Sequence, residues 1–201
     1  MARFKELGYR PQLFLLNAAD CGVPQKRERV FFVAVRNDID VPPLKLAPTH
    51  RWIGAGEATS DVQVLTDDEV KDTAPAANDL KCWPHVKQGG SYKDYLFVSE
   101  KRNACFGHFK THQDKPITTI TANDSLYTHW DTCRRLTYRE WKRLGSFPDD
   151  YHAKTDKIGK YMIGMSVPPK MTEQVARAVC EQWLNVNYSE LSNDNQAKNT
   201  D

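Results

Sequence analysis

The sequence lacks a long apolar run, a positively charged leader ahead of an apolar stretch, and any Cys-x-x-Cys pair. The first absence argues against a membrane span and the second against secretion. The third removes a thioredoxin-like motif, and five cysteines, an odd number, do not make a disulfide framework. A reducing, cytoplasmic setting is expected. Internal repeats and strongly biased tracts are also missing. An excess of either charge is absent: the net charge is +2, too little by itself to identify a polyanion partner. With 201 residues the chain can hold one domain or one and a half.

What is present centres on Asn17 to Arg29, which reads Asn-Ala-Ala-Asp-Cys-Gly-Val-Pro-Gln-Lys-Arg-Glu-Arg. Apolar runs flank it, Leu13 to Leu16 before and Val30 to Val35 after. Both are short, rich in aromatic or β-branched residues and bounded by turn formers, so they read as two strands. Ahead of them, Phe4 and Leu7 are three apart and Gly8 can stop a helix, so residues 1–8 read as a helix end. Side chains alternate along an extended chain, which puts Gln25, Arg27 and Arg29 on one face. Two guanidinium groups on one face make an anion or polar-base site, and a solvated hairpin turn is the plainer alternative. A two-stranded hairpin needs further strands, and a run apolar on both faces needs cover on both sides. The hairpin therefore reads as the edge of a sheet whose remainder is supplied elsewhere.

Further along, Pro42, Pro43 and Pro48 mark a connector over residues 38–48. Residues 50–80 are acidic, and Thr66-Asp-Asp-Glu69 is a capping-box pattern that starts a short helix near Asp67. In residues 81–115 the sign reverses. Lys81, Lys87, Lys93, Lys101, Arg102, Lys110 and Lys115 outnumber Asp94, Glu100 and Asp114, with aromatic residues interleaved. That mixture suits a nucleic-acid surface or, equally, a solvated face over a small core. Cys82-x-x-His85 and Cys105-x-x-His108 are not strong zinc spacings, so no metal is assigned. Pro116 to Thr121 reads as a β-branched strand leading into a turn. Thr137 and Glu140 form a second capping box, and the helix after it turns Trp141 and Leu144 inward. Met171, Val175, Val179 and Trp183 recur every four residues as one apolar helix stripe. Residues 187–201 are polar and are expected to be a disordered tail.

Three stretches, in order, resemble the DNA cytosine-5 methyltransferase family. Asn17 to Phe31 resembles its motif VIII. Arg135-Leu-Thr-x-Arg-Glu-x-x-Arg-Leu-x-x-Phe-Pro-Asp149 resembles motif IX, and Tyr161-x-x-Gly-x-Ser-Val-Pro-Pro169 resembles motif X. The resemblance implies an α/β fold: a partial Rossmann-like sheet edge, made of the hairpin and the C-terminal helix, with an inserted loop-rich α+β target-recognition domain. It implies boundaries of 1–37 for the edge with motif VIII, 38–133 for the recognition domain and 134–186 for the return through motifs IX and X. It also implies S-adenosylmethionine as methyl donor and double-stranded DNA, with base flipping, as substrate. Arg29, Arg27 and Gln25 would serve catalysis. Arg27, Lys101, Arg102, Thr119, Ile120, Arg134 and Arg135 would meet DNA. Gly164, Met165, Ser166 and Val167 would line the cofactor pocket through free backbone donors, and Thr137, Arg139 and Glu140 would be structural.

The resemblance also shows what is missing. The family nucleophile is a cysteine after a proline, but Cys21, Cys82, Cys105, Cys133 and Cys180 follow other residues, and no Phe-x-Gly-x-Gly loop exists. Met165 stands where the family usually has asparagine. The chain is thus expected to be the recognition-bearing part of a restriction-modification or prophage enzyme, completed by a partner chain that carries the nucleophile. The alternatives are a truncated remnant and a DNA-binding module without catalysis. Contact between Phe14–Val35 and Lys160–Trp183 is the sharpest structural expectation.

Overall fold

Strands β1 (Tyr9–Asn17) and β2 (Glu28–Arg36) form an antiparallel hairpin, with Phe14 opposite Phe31 and Leu16 opposite Arg29. In this computed structural model, residues 1–62, 64–101 and 107–184 are described. Helix α1 (Ala2–Glu6) precedes the hairpin and ends as Gly8 turns at φ +81, a left-handed conformation that glycine adopts without a Cβ clash. Alternation divides the hairpin into two unlike faces. Leu16 and Phe14 pack with Phe31, Cys21 and Val23 against Met171 and Val175. On the other face Leu13, Leu15, Val30 and Phe32 are all at least half exposed, and they pair across the strands as Leu13–Phe32 and Leu15–Val30.

Between the hairpin and the next long helices lie short elements: α2 (Ala55–Ala58), α3 (Asp67–Asp72), α4 (Ala77–Cys82), α5 (Tyr92–Glu100), and a two-residue parallel pair, β3 (Phe109–Lys110) with β4 (Tyr127–Thr128). Each helix here has two or three turns at most, so it depends on packing rather than on intrinsic helicity. Cys82, Val86, Tyr92 and Leu96 supply a small core for α4 and α5. Residues 116–121 form no regular strand. The only bridge is Ile117 with Gln25, because the neighbour of this segment is the motif VIII loop and not a ladder.

Helix α6 (Tyr138–Leu144) opens with the Thr137–Glu140 capping box, and α3 opens with Thr66–Glu69. α6 carries Trp141 and Leu144 into the main core with Ile117, Ile120, Tyr127, Leu136 and Ile163. Helix α7 (Asp156–Met165) crosses α6 at Gly159, where a Cβ would fall 2.4 Å from the Tyr138 ring, so this crossing excludes any larger residue. Helix α8 (Pro169–Trp183) returns to the hairpin, as the ordered motifs imply. Its stripe is only partly covered: Met171 is fully buried, whereas Val175, Val179 and Trp183 are half-buried. Gln182 bonds the backbone of Lys45 in both directions, and the Trp183 indole donates to the Pro42 carbonyl at 2.8 Å, so the proline-rich connector is strapped to α8.

Trp141 makes a sharp test of this core. Its ring is fully buried, yet its indole N–H has no acceptor. Trp141→Ala should cost about 3–5 kcal/mol through the cavity it leaves. Trp141→Phe, which discards the unpaired donor, should cost about 1 kcal/mol. Urea unfolding of the two variants measures both.

Candidate functional site

Three segments far apart in sequence meet at one side chain. The Arg27 guanidinium is buried and donates to the carbonyls of Ile120, Gly164 (2.8 Å) and Ser166 (2.8 Å). Its neighbour Gln25, also buried, takes the Ile120 amide at 3.0 Å and donates to the Leu144 carbonyl at 3.3 Å. Backbone bonds run alongside, from Lys26 N–H to Ile117 O and from Ile117 N–H to Pro24 O. Gly164 is needed where α7 ends, because a Cβ there would lie 2.2 Å from the Thr121 carbonyl oxygen. Burial, and then the nearby Arg29 charge, push the Arg27 pKa down to about 10, which still leaves it cationic at neutral pH.

Alternation does put Gln25, Arg27 and Arg29 on one face, but the structure uses them differently. Gln25 and Arg27 are internal ties, so the expectation that they act at the reacting base, or that Arg27 reaches DNA, is corrected: both are buried, and backbone carbonyls take up the Gln25 amide and the two terminal nitrogens of Arg27, while the Arg27 Nε–H has no acceptor. Arg29 is half-buried, and one of its terminal nitrogens donates to the Glu28 carbonyl at 2.8 Å. Ile120 is fully buried in the main core, so it cannot touch a base, while Thr119 is exposed and donates its hydroxyl to the Lys26 carbonyl at 2.8 Å. Cys21, in the same loop, is buried, and burial together with Asp20 pushes its thiol up to about 11; it is no thiolate at neutral pH.

The motif X segment is also rearranged relative to expectation. Gly164 to Ser166 ends α7 rather than opening a helix, and the Ser166 amide and hydroxyl both donate to the Ile163 carbonyl, at 3.2 and 2.7 Å. Ser166 therefore offers no free donor pair. Met165, 63 % exposed, and the exposed Val167 present an apolar surface instead.

Arg134 and Arg135 were candidates for phosphate contact, and the structure turns both inward. Arg134 forms a two-pronged pair with the buried Glu140, at 2.8 Å on each oxygen. Arg135 faces the buried Asp79 at 3.8 Å. Arg139 clamps Glu69 at 2.7 Å on both oxygens, and this bond holds the Glu69 carboxyl below its usual range. The basic stretch is likewise partly internal. Lys110 is buried with its ammonium 3.4 Å from the Trp83 ring centroid, and Lys81 pairs with Glu100. Composition could not reveal these pairings. Lys101 is exposed at the end of α5, where φ is +53, and Arg102 and Cys105 lie outside the described residues, as does the 187–201 tail. Among the described residues no group of three His, Cys, Asp or Glu side chains is placed to hold a metal, and no helix is long and apolar enough to cross a membrane.

A hairpin backed by one helix, a central stretch of short elements, and an arginine that fastens that stretch to the end of α7 make an α/β arrangement of the partial Rossmann-like methyltransferase kind. The family model for C-5 cytosine-specific DNA methylase matches residues 1–181, and the chain belongs to that family. It is 30 % identical over 207 residues to the type II methyltransferase M.BbvI of Brevibacillus brevis, covering 96 % of this chain and 54 % of the relative. It is 31 % identical to M1.HphI of Haemophilus parahaemolyticus, covering 91 % and 51 %. The chain thus spans about half the length of the curated relatives it matches. In fold it is similar to the crystal structure of Spodoptera frugiperda DNMT2, with a TM-score of 0.61 at 14 % identity over 89 % of this chain and 60 % of that one.

Two outcomes follow. Arg27→Lys keeps a charge but cannot span three carbonyls, so it should destabilise the fold by about 3 kcal/mol, whereas Arg29→Ala should shift the unfolding midpoint little. The second concerns His129, buried beside Arg134 and Glu140. Burial first, and then Arg134, push its pKa down to about 4. The unfolded imidazole takes up a proton near pH 6.5 and the folded one does not, so stability should fall as pH drops from about 6.5 to about 4. The loss should be on the order of 3 kcal/mol, and His129→Gln should flatten it in denaturant titrations across that window.

Proposed function

We propose that this chain supplies the DNA-recognition surface and part of the active site of an S-adenosylmethionine-dependent DNA cytosine-5 methyltransferase. On this reading residues 1–37 and the return from residue 134 are the edge of the catalytic domain, and residues 38–133 are the recognition domain. The nucleophilic cysteine and the glycine-rich cofactor loop come from the other half of the enzyme, on a partner chain in a split enzyme. The observation that carries the reading is the tie made by Arg27. It fixes Arg29, Thr119 and the Met165–Val167 strip relative to one another, although they come from motif VIII, the end of the recognition domain and motif X.

Arg29 is the residue assigned to catalysis. A target base must leave the stack, at a cost of a few kcal/mol (roughly) that protein contacts offset. A fixed guanidinium beside the flipped cytosine would hold its carbonyl oxygen and neighbouring phosphates, and it would stabilise charge that grows on that oxygen during attack. Thr119, exposed at the junction with Lys26, would supply a backbone or base-edge contact. S-adenosylmethionine, when bound, supplies the electrophilic methyl group. The exposed Met165 and Val167 fit the apolar wall of its pocket rather than its polar anchor. The bare face of Leu13, Leu15, Val30 and Phe32 is where a further layer from the other half of the enzyme would pack, while its strands would join the hairpin at an edge. A cytoplasmic enzyme of a restriction-modification system or prophage fits these assignments.

A second reading, a remnant of such an enzyme, is favoured only by Met165 in place of the usual asparagine. The deciding assay is methyl transfer from labelled S-adenosylmethionine to bulk DNA, by the chain alone and then with the candidate N-terminal half. Activity should appear only in the mixture, and Arg29→Ala should lower it by about 10²–10³-fold while assembly persists. Inactivity of the mixture, with assembly intact, would leave the remnant. Activity of the chain alone would overturn the division of labour.

A further inference from the structure

The position between Gln25 and Arg27 is one that the family motif leaves open, and here it is Lys26, an exposed cation on the opposite face from the buried pair. Its backbone is fully committed. The amide donates to Ile117 O at 2.8 Å, and the carbonyl accepts from the Thr119 hydroxyl at 2.8 Å. Its side chain is not loose either. The ammonium lies 4.8 Å from the centroid of the Trp52 ring. Trp52 is 48 % exposed, which is unusual for so large an apolar side chain, and its orientation is set by a 2.8 Å bond from its indole N–H to Asp20 Oδ1. Asp20 is itself fixed, since its carbonyl takes the His50 amide at 2.9 Å. The nearby Arg51 is engaged with Glu57. Asp20 is therefore occupied by Trp52 and Arg51 by Glu57, which leaves Lys26 with no carboxylate partner among the described residues.

A lysine held over an aromatic ring keeps its charge and its donors but loses freedom, so less is lost when it meets an anion. It emerges beside Thr119 and three residues from Arg29. The geometry points to Lys26 as a preset phosphate contact that extends the DNA surface beyond the base site, with Trp52 as the positioning residue that holds it. This rests on the DNA-methyltransferase reading and deepens it, by placing one backbone phosphate of the duplex next to the motif VIII loop. Trp52 acts through Lys26 and not by touching DNA itself.

The test is binding of a labelled 30-base-pair duplex of random sequence to the full chain, by fluorescence anisotropy between 50 and 200 mM salt. Lys26→Gln should weaken binding by about five-fold at low salt and reduce the slope of log affinity against log salt by about one. Trp52→Ala removes no charge but should weaken binding by about three-fold, with Trp52→Phe restoring most of it. The double variant should bind no more weakly than Lys26→Gln alone, because both changes remove the same contact. Lys26→Gln with an unchanged salt slope overturns the proposal, as does a double variant whose loss is the product of the two. If Arg29→Ala lowers binding and Lys26→Gln does not, the proposal fails and the methyltransferase reading stands. If the unaltered chain binds no duplex, both fail. Should Trp52→Ala not fold, the slope measured for Lys26→Gln decides by itself.

Discussion

The Arg27 guanidinium is the constraint on which the rest of this structure depends. An ion moved out of water costs several kcal/mol (roughly) unless it is surrounded by partners, and a buried arginine rarely finds enough of them in carbonyl groups alone. Here it finds three, on Ile120, Gly164 and Ser166, which lie 93, 137 and 139 residues downstream. The carbonyl of Gly164 belongs to the last turn of α7 and that of Ser166 to its C-cap, where the helix leaves its final acceptors unpaired and its dipole is negative. The terminal nitrogens of the cation and the orphaned acceptors thus satisfy each other, while its Nε–H is left without an acceptor. No single local element would hold the Ile120 segment, the motif VIII loop and the end of α7 in one arrangement. The charge must be matched, and it is matched only when all three are in place.

That requirement explains the division of labour along Gln25-Lys26-Arg27-Glu28-Arg29. An extended chain exposes alternate residues to opposite sides, so a strand can carry an internal tie and an external contact only one residue apart. Gln25 and Arg27 serve the inside. Lys26 faces out, and Arg29 sits at the margin where the strand leaves the core. The dense positive charge of this loop therefore has a structural half and a half free for other partners, and the buried half makes the position of the other half definite.

Much of the local architecture was legible because its causes are local. The two strands, the glycine stop at Gly8, both capping boxes and the inward turn of Trp141 and Leu144 follow from propensity, spacing and turn chemistry, and motif order placed α8 against the hairpin. The fate of individual charges was not legible. Arg27 and Arg29 are the same residue type two positions apart, and only the carbonyls contributed by distant segments decide which is buried. Lys110 and Lys81 belong to the basic stretch and Arg134 to the residues expected at DNA, yet each is taken by a partner within the chain: Trp83, Glu100 and Glu140. Ile120 resembled a base contact by its place in the motif, but a β-branched side chain beside exposed threonines is equally suited to a core, and the core took it. Sequence pattern reports what a residue can do, and the topology decides which of its possible partners arrives.

The hairpin carries the same lesson in apolar form. Its two faces are almost equally hydrophobic, yet one is closed by α8 through Met171 and the other presents Leu13, Leu15, Val30 and Phe32 in two cross-strand pairs. An ordinary surface strand would alternate apolar with polar residues, and nothing about the hairpin alone requires apolar side chains on the open side. Nor can the face be explained by the core that is present, since Phe14, Leu16 and Phe31 already supply it. Apolar pairs of this kind are stabilising only when something dry lies on them, and their contiguity across two strands is what a sheet designed for cover on both sides looks like. The finished face and the bare face together describe a strand pair whose side chains suit cover on both faces. The closed side is covered by α8 of this chain, and the open side leaves four apolar side chains in contact with solvent.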